Sequence, residues 1–553
     1  MRDQGNGEPS SPFPWQQGDG PSMTSRKLLQ ALAKDLSQAV DETDQHDMLQ
    51  MAGSMIEADY SLLPEILSLL LAESRKKRPR GALLGAYGTL LTVGLDVTRH
   101  RAEQEDAAAI RQCDQLQVQL SREIQGGDVS PEILFSILRT LVISRIPLRK
   151  DFQDSVAVAL GEAAQAQQPG REMDEGSAAQ QLQAAVESVH GDPFALHGQM
   201  METLAALPAD HRIAMAENLL SSTPEAARDC VIGWLLDRDI DVARQVGQLL
   251  KYAGQRSELS GTSLSRLVLL RPLLADDRRQ VLDGIIQATR KAGVAYQPVP
   301  KGEILEAWAS GFDGSGAHSL FIVVPDGRRR AICSILCKAG RGVRDAWVMP
   351  AQTKKDVKEL LSSVHEQLGL FSVEKTYPGR LLGRFAAMNA DSGEPLPFPL
   401  LDVIERAGLA PLALTRDTVQ DRLRTLLDAI LNDRKTADVM EGALEFSESW
   451  PDEIECFDSW FVEPETTTPK AGRRPSKAKR EAKVWERLDG QRAYWADLIL
   501  NLADITRNRD PGFEESNIWE SFTLVAAHVL GGGNLKQAGI FDWIVEQSLE
   551  VEG

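Results

Sequence analysis

SLFIVVPDGRRRAICSILCK, residues 319–338, is the stretch on which the fold turns. Apolar runs from Leu320 to Val324 and from Ala331 to Cys337 flank Pro325-Asp326-Gly327, where proline presets φ and glycine accepts a left-handed conformation. The pattern predicts a β-hairpin. After the glycine-bearing KAGRGVRD a third short strand, DAWVMP, follows, and TKKDVKELLSSVHEQLG then reads as a capped amphipathic helix. The result is a small β-β-β-α module over residues 293–370, inserted in a chain that otherwise reads as helix after helix.

Cys333-Ser-Ile-Leu-Cys337 invites a metal reading that strand geometry rejects. Alternation puts both thiols on one face, but four residues at about 3.3 Å each hold them about 13 Å apart. Two sulfurs on one zinc need bonds of only about 2.3 Å. A disulfide is equally out of reach. Both cysteines are expected in the core.

Working outward, residues 24–165 alternate helical patterns with short breaks. Leu29, Leu32 and Leu36 recur at helical spacing behind Ser25, and Pro131 opens SPEILFSILRTLVISRI at the first-turn position proline tolerates. Polar, glycine-containing residues 166–180 read as a linker. Residues 181–292 carry the most regular organisation, amphipathic helices of about 12 residues with Asp, Ser, Thr or Pro at each start. Leu207-Pro208-Ala209-Asp210-His211-Arg212 is echoed by Leu273-Leu274-Ala275-Asp276-Asp277-Arg278 at an offset of 66.

Within this region DRDIDVARQVGQLL, with aspartates at the turn and Val242, Ala243 and Val246 beginning the next helix, resembles a HEAT-type α-helical repeat. The resemblance covers residues 181–292 and implies an α-solenoid used as a scaffold or protein-binding surface, with no catalytic residues to carry over. The alternative is an ordinary irregular helical domain.

Residues 371–440 return to helix, as do residues 484–553. Between them lie two blocks of opposite charge. Residues 441–465 hold nine acids and no Lys or Arg, with Phe446, Trp450, Phe457, Trp460 and Phe461 interleaved. Glu448, Asp452, Glu453, Glu455 and Asp458 are the candidate contacts for a basic partner; the blander reading has the aromatics anchoring short helices to the repeat surface while the acids face water. Residues 466–483 form a basic stretch, expected to be a mobile linker, in which Arg473, Arg474, Lys477, Lys479 and Arg480 are candidate phosphate or acidic-partner contacts.

The same candidacy extends to Arg328, Arg329, Arg330, Arg341 and Arg344. With Lys338 they outnumber Asp326 and Asp345, a local excess of positive charge in a chain of net charge −19. That overall charge opposes nucleic acid and anionic lipid except at such a patch. The alternative is that these arginines solvate the hairpin ends and pair with acids of the same chain. Arg75-Lys76-Lys77-Arg78-Pro79-Arg80 resembles an import signal, but a helix C-terminus explains it.

Other chemistries fail on spacing. His365-Glu366 begins like a zinc-protease helix, but Gly369 stands where the second histidine belongs. Glu187-Ser-Val-His190 is a single Glu-x-x-His, and neither a phosphate-binding Gly-x-x-x-x-Gly-Lys loop nor a Gly-x-Ser-x-Gly elbow occurs. No cofactor is expected.

Five scattered cysteines are no disulfide framework and point to a reducing, cytoplasmic setting. Residues 1–23 lack an apolar core and read as disordered. GALLGAYGTLLTVGLDV, from Gly81, carries glycines, threonines and an aspartate, and reads as a buried helix, so no membrane association is expected. High Ala, Leu, Arg and Gln usage hints at a bacterial source. The expectation is a mainly α protein: solenoid-like repeats, an inserted α+β module and a C-terminal helical region. Its function would be non-enzymatic scaffolding of a protein partner. The rivals are a nucleic-acid accessory protein and an enzyme whose residues meet only in three dimensions.

Overall fold

In a computed structural model the described residues are 25–39, 42–103, 106–127, 129–144, 146–167, 175–298, 302–431, 436–462, 476–510 and 518–551. The N-terminal segment 1–23, residues 168–174 of the expected 166–180 linker, and Arg473 and Arg474 lie outside them. The chain divides into two compact units, Met1–Ala178 with Gln199–Arg212, and Ala179–Gly198 with Ile213–Gly553. The first boundary, between Ala178 and Ala179, falls within the expected linker 166–180, and the chain then returns to the first unit over Gln199–Arg212. Ala206 and Leu207 belong to the first unit's core, and the Gln153 side chain donates to the Leu207 carbonyl at 3.4 Å, which ties this return segment to the first unit.

The first unit is helical throughout its described residues. Its start signals act as written: Asp106 accepts from Ala108 N and Ala109 N, and Ser130 accepts from Ile133 N ahead of Pro131. Gly81–Ala102 is long and apolar enough to cross a membrane by length and composition. Here Leu90, Leu91 and Leu95 of that helix are buried in the unit's core, and Leu63 and Ile56 pack directly against Gly94. Charges of the basic run are met within the unit: Arg75 pairs with Glu123, and Lys76 and Arg80 converge on buried Glu73.

The second unit combines helices with one five-stranded antiparallel sheet. In its helical part, Ile240–Gln255 starts at Asp239 and Gly261–Leu270 starts at a Ser260–Ser263 capping box. The expected helix over PEAARDCVIGWLL is α-helical only at Glu225–Cys230; Val231–Leu236 tightens into a 3-10 helix, every residue of it buried. Helices Ile240–Gln255 and Asp276–Lys291 lie side by side, with Gly247 against Val281 and Gly254 against Thr289, where a Cβ would collide.

The sheet comprises β1 (Glu306–Ala309), β2 (Ala317–Asp326), β3 (Arg329–Lys338), β4 (Gly342–Gln352) and β5 (Phe371–Ser372), in the order β4-β3-β2-β1-β5. The hairpin is where the two apolar runs placed it, but its turn is two residues later than expected. Pro325 and Asp326 pair with Arg330 and Arg329 inside the ladder, leaving Gly327-Arg328 as a two-residue loop with Gly327 at φ 60°. Glycine with positive φ at the first loop position matches the right-handed twist of the strands. The expected third strand is longer than DAWVMP, and β1 and β5 extend the sheet beyond the three strands anticipated.

Nor is the sheet a self-sufficient insertion. One face, including Ala307, Leu320, Ile322, Cys333, Ile335 and Cys337, shares a single core with helices Tyr377–Ser392, Pro399–Arg406, Arg492–Arg507 and Gly539–Val551. Burial pushes the thiols of Cys333 and Cys337 up to about 12. The opposite face, through Val323 and Ile332, is covered by helix Lys354–Leu368 using Val357 and Leu361.

Trp450, Phe457 and Trp460 of the acidic stretch are fully buried, and their neighbours are the sheet and the C-terminal helices, not the repeat region. Trp450 packs edge-on against Phe522 at 4.4 Å, and Trp460 Nε1 donates to the Phe312 carbonyl at 2.8 Å. Part of the expected mobile linker is ordered helix, Lys477–Gly490, because Val484 and Leu488, one turn apart, supply an apolar stripe that is buried.

Candidate functional site

The local sequence builds a cleft at the β1–β5 side of the sheet. Thr353 and Asp356 form a capping box that starts helix Lys354–Leu368, and its i, i+4 periodicity lines up Lys354, Lys358, Leu361, Ser362 and His365 along the cleft. Gly369, at φ 57°, ends that helix by donating to the His365 carbonyl at 2.9 Å. A Cβ there would stand 3.1 Å from Glu455 Oε2, so glycine both closes the helix and admits the 453–455 segment. On the sheet, Trp308 pairs with Phe321 on one side and Ser372 on the other. Arg509 is held at the mouth by backbone pairing around Val373: Glu374 N donates to the Asn508 carbonyl at 2.9 Å and Asp510 N to that of Ser372 at 3.0 Å.

The cleft encloses about 700 Å3, within the range of small-ligand and side-chain pockets. Its floor is apolar, from Trp308, Val357, Leu361, Leu370, Phe371 and Ile454, and its rim carries charges of both signs. Arg330 Nη1 is 2.6 Å from Glu306 Oε1, so these two rim charges satisfy one another. The Arg509 guanidinium lies over the Phe371 ring at 4.4 Å from its centroid. Burial lowers the pKa of Arg509, and Glu453 works in the opposite direction.

The residues singled out in sequence are dispersed. Arg328 and Arg329 are exposed at the β2–β3 turn, where Arg329 Nη1 donates to the Ala351 carbonyl at 3.3 Å. Arg341 and Arg344 stand at the other end of β3, roughly 30 Å away along the strand, with Arg344 3.9 Å from Glu394. One basic patch is therefore not formed by the five hairpin arginines. Lys477 and Lys479 are exposed and Arg480 half-buried on their helix. Glu448, Asp452 and Asp458 are exposed, while Arg330, Glu453 and Glu455 meet in the cleft. Sequence reasoning missed Trp308, Lys354, Lys358, Phe371 and Arg509 as cleft residues. EAWA offered an alternating signal too short to act on; Arg509 offered none.

The most perturbed ionisable groups belong to the packed interior. Burial drives His318, stacked on Phe312 at 4.4 Å, down to about 3, and His197, beside Trp234, down to about 4. Burial likewise raises Asp402 to about 6, against the opposing pull of Arg406 at 2.7 Å, and it raises Asp229 and Glu405. Among the described residues no three His, Cys, Asp or Glu side chains group as a metal site.

Residues 420–552 match the family model described as the Y4lR C-terminal helical domain, and residues 208–293 match the Y4lR second domain. The chain is 24% identical over 331 residues to the "Uncharacterized protein y4lR" of Sinorhizobium fredii (strain NBRC 101917 / NGR234). That alignment covers 59% of this chain and 63% of the relative, so it spans less than two thirds of the relative's length. No solved structure matches.

Proposed function

We propose that this chain is a non-enzymatic cytoplasmic scaffold or adaptor that binds a protein partner, with HEAT-like helical pairs as its frame and the cleft beside β1 as the contact that selects the partner. The observation that carries the reading is the cleft's lining, an apolar floor ringed by charges of both signs. Such a lining suits a protein segment that inserts an apolar side chain and seats polar groups on the rim. The close packing of Ile240–Gln255 on Asp276–Lys291 supports a rigid frame, and five unpaired cysteines suit a reducing compartment.

The test compares wild type with Ser362→Trp, which fills the cleft from an exposed helical position. Tagged protein is recovered from its own cells at low salt, with and without nuclease treatment, and bound proteins are identified by mass spectrometry. A stoichiometric protein lost in the variant is the expected result. A partner kept by the variant refutes the cleft as the contact, and nucleic acid that leaves at moderate salt replaces this reading with a nucleic-acid one.

A further inference from the structure

Four cations line the cleft, Arg330, Lys354, Lys358 and Arg509, against three acids, Glu306, Glu453 and Glu455. Arg330 and Glu306 neutralise each other at 2.6 Å. Lys355, just outside the cleft, pairs with Glu359 at 3.3 Å, whereas its neighbour Lys354 and Lys358 one turn on face the cavity. Arg509 is half-buried over Phe371, and its Nε has no hydrogen-bond acceptor among the described residues. A buried Nε–H without an acceptor is costly. A ligand that supplies one recovers that cost.

We propose that the cleft binds an apolar carboxylate, its carboxyl group held by Arg509 and the Lys354–Lys358 face and its hydrocarbon body laid on Trp308, Phe371 and Leu361. The proposal rests on the cleft being the recognition site and adds the chemistry of what enters it. A planar guanidinium fork matches a carboxylate with two parallel hydrogen bonds. Lys354 opens its helix, so the helix's positive end adds to the attraction. Glu453 and Glu455 on the same rim oppose a doubly charged phosphate more than a singly charged carboxylate. The predominantly apolar floor gives no reward to a small, fully hydrated anion.

The experiment uses the full chain and the fluorescent probe 1-anilinonaphthalene-8-sulfonate, an aromatic body bearing one anion. Decanoate, decanol, and a leucine-terminated tetrapeptide as free acid and as amide then compete for the probe. Each acid is expected to displace it at concentrations at least about tenfold lower than its neutral counterpart, a difference of about 1.4 kcal/mol. Arg509→Gln is expected to abolish that preference and Ser362→Trp to abolish probe binding. Equal displacement by acid and neutral forms, a preference that survives Arg509→Gln, or no probe binding by wild type overturns the proposal. The wild-type acid-to-neutral ratio is decisive even if Arg509→Gln does not fold. Stronger displacement by decanoate assigns the ligand to free acids, and stronger displacement by the peptide acid assigns it to a polypeptide C-terminus. A retained acid preference with no protein captured would refute the scaffold reading while leaving this one intact.

Discussion

Arg266 Nη1 donates to Asp229 Oδ2 at 2.6 Å, joining helix Gly261–Leu270 to the short helix Glu225–Cys230. The same guanidinium reaches Glu405 Oε1 at 3.1 Å and lies over the Phe194 ring at 4.8 Å. Removing it strands two largely buried carboxylates, and breaking such a pair costs about 3–5 kcal/mol. Arg266→Met is therefore expected to lower the urea midpoint of the second unit markedly, and adding Asp229→Asn to restore part of the loss. A cost below about 1 kcal/mol would show that the network is dispensable.

Asp402 gives a pH dependence with a definite sign. Its folded pKa of about 6 lies above the ordinary 3.8 because burial disfavours the charge. The folded state thus holds this proton more tightly than the unfolded chain does. The resulting stabilisation is complete below pH 3.8 and is lost as pH rises through 6, at about 1.4 kcal/mol per unit. The stability of wild type relative to Asp402→Asn should therefore fall between pH 4 and 7 in denaturant titrations.

His318 acts in the opposite sense. Its folded pKa of about 3 lies below the ordinary 6.5, so its contribution is present above pH 6.5 and declines as pH falls toward 3. His318→Phe keeps a ring against Phe312 and removes the titration. Its unfolding free energy should decline less steeply with acid than that of wild type, the slopes differing by about 1.4 kcal/mol per unit below pH 5.5. Parallel slopes would mean that the imidazole is already solvated.

Two glycines should respond differently to alanine. Gly383 lies in helix Tyr377–Ser392, where propensity favours alanine by about 1 kcal/mol. Its Cβ would collide with the Ala413 carbonyl oxygen, however, so Gly383→Ala is expected to destabilise by about 1–3 kcal/mol. Gly327 has open space but a φ of 60°, so Gly327→Ala should cost about 1–2 kcal/mol through backbone strain alone. Thermal denaturation of each variant gives both values.

All five cysteines have raised thiol pKa values from burial. A thiol reagent at pH 8 should label the native protein slowly and all five positions rapidly in denaturant. Rapid labelling of Cys333 or Cys337 without denaturant would place them outside the core.

Strong local patterning made part of this architecture legible. The apolar runs Leu320–Val324 and Ala331–Cys337 identify the central strands, and Asp239 and Pro131 mark helix starts through chemistry written in adjacent residues. What escaped depends on contacts between distant positions. The two residues of β5 are a strand only because β1 and the 508–510 segment flank them. The cleft joins Trp308, Lys358, Glu453 and Arg509, which are spread over some 200 residues. As candidate partner contacts the sequence offers only Arg330, Glu453 and Glu455 of the lining, and as charges on separate surfaces. The solenoid expectation rests on the resemblance of DRDIDVARQVGQLL to a HEAT-type repeat, and a short local pattern reports helix lengths and turns but not how successive pairs stack.

The core shared by the sheet and the C-terminal helices also sets an order of events at the ribosome. The last residue of β4 precedes helix Arg492–Arg507 by about 140 residues. Helices Tyr377–Ser392 and Pro399–Arg406 follow soon after β4, but at synthesis rates of about 5–20 residues per second the rest of that face waits roughly 7–28 s for Arg492–Arg507. During that interval the incompletely covered apolar strands are open to association with other chains.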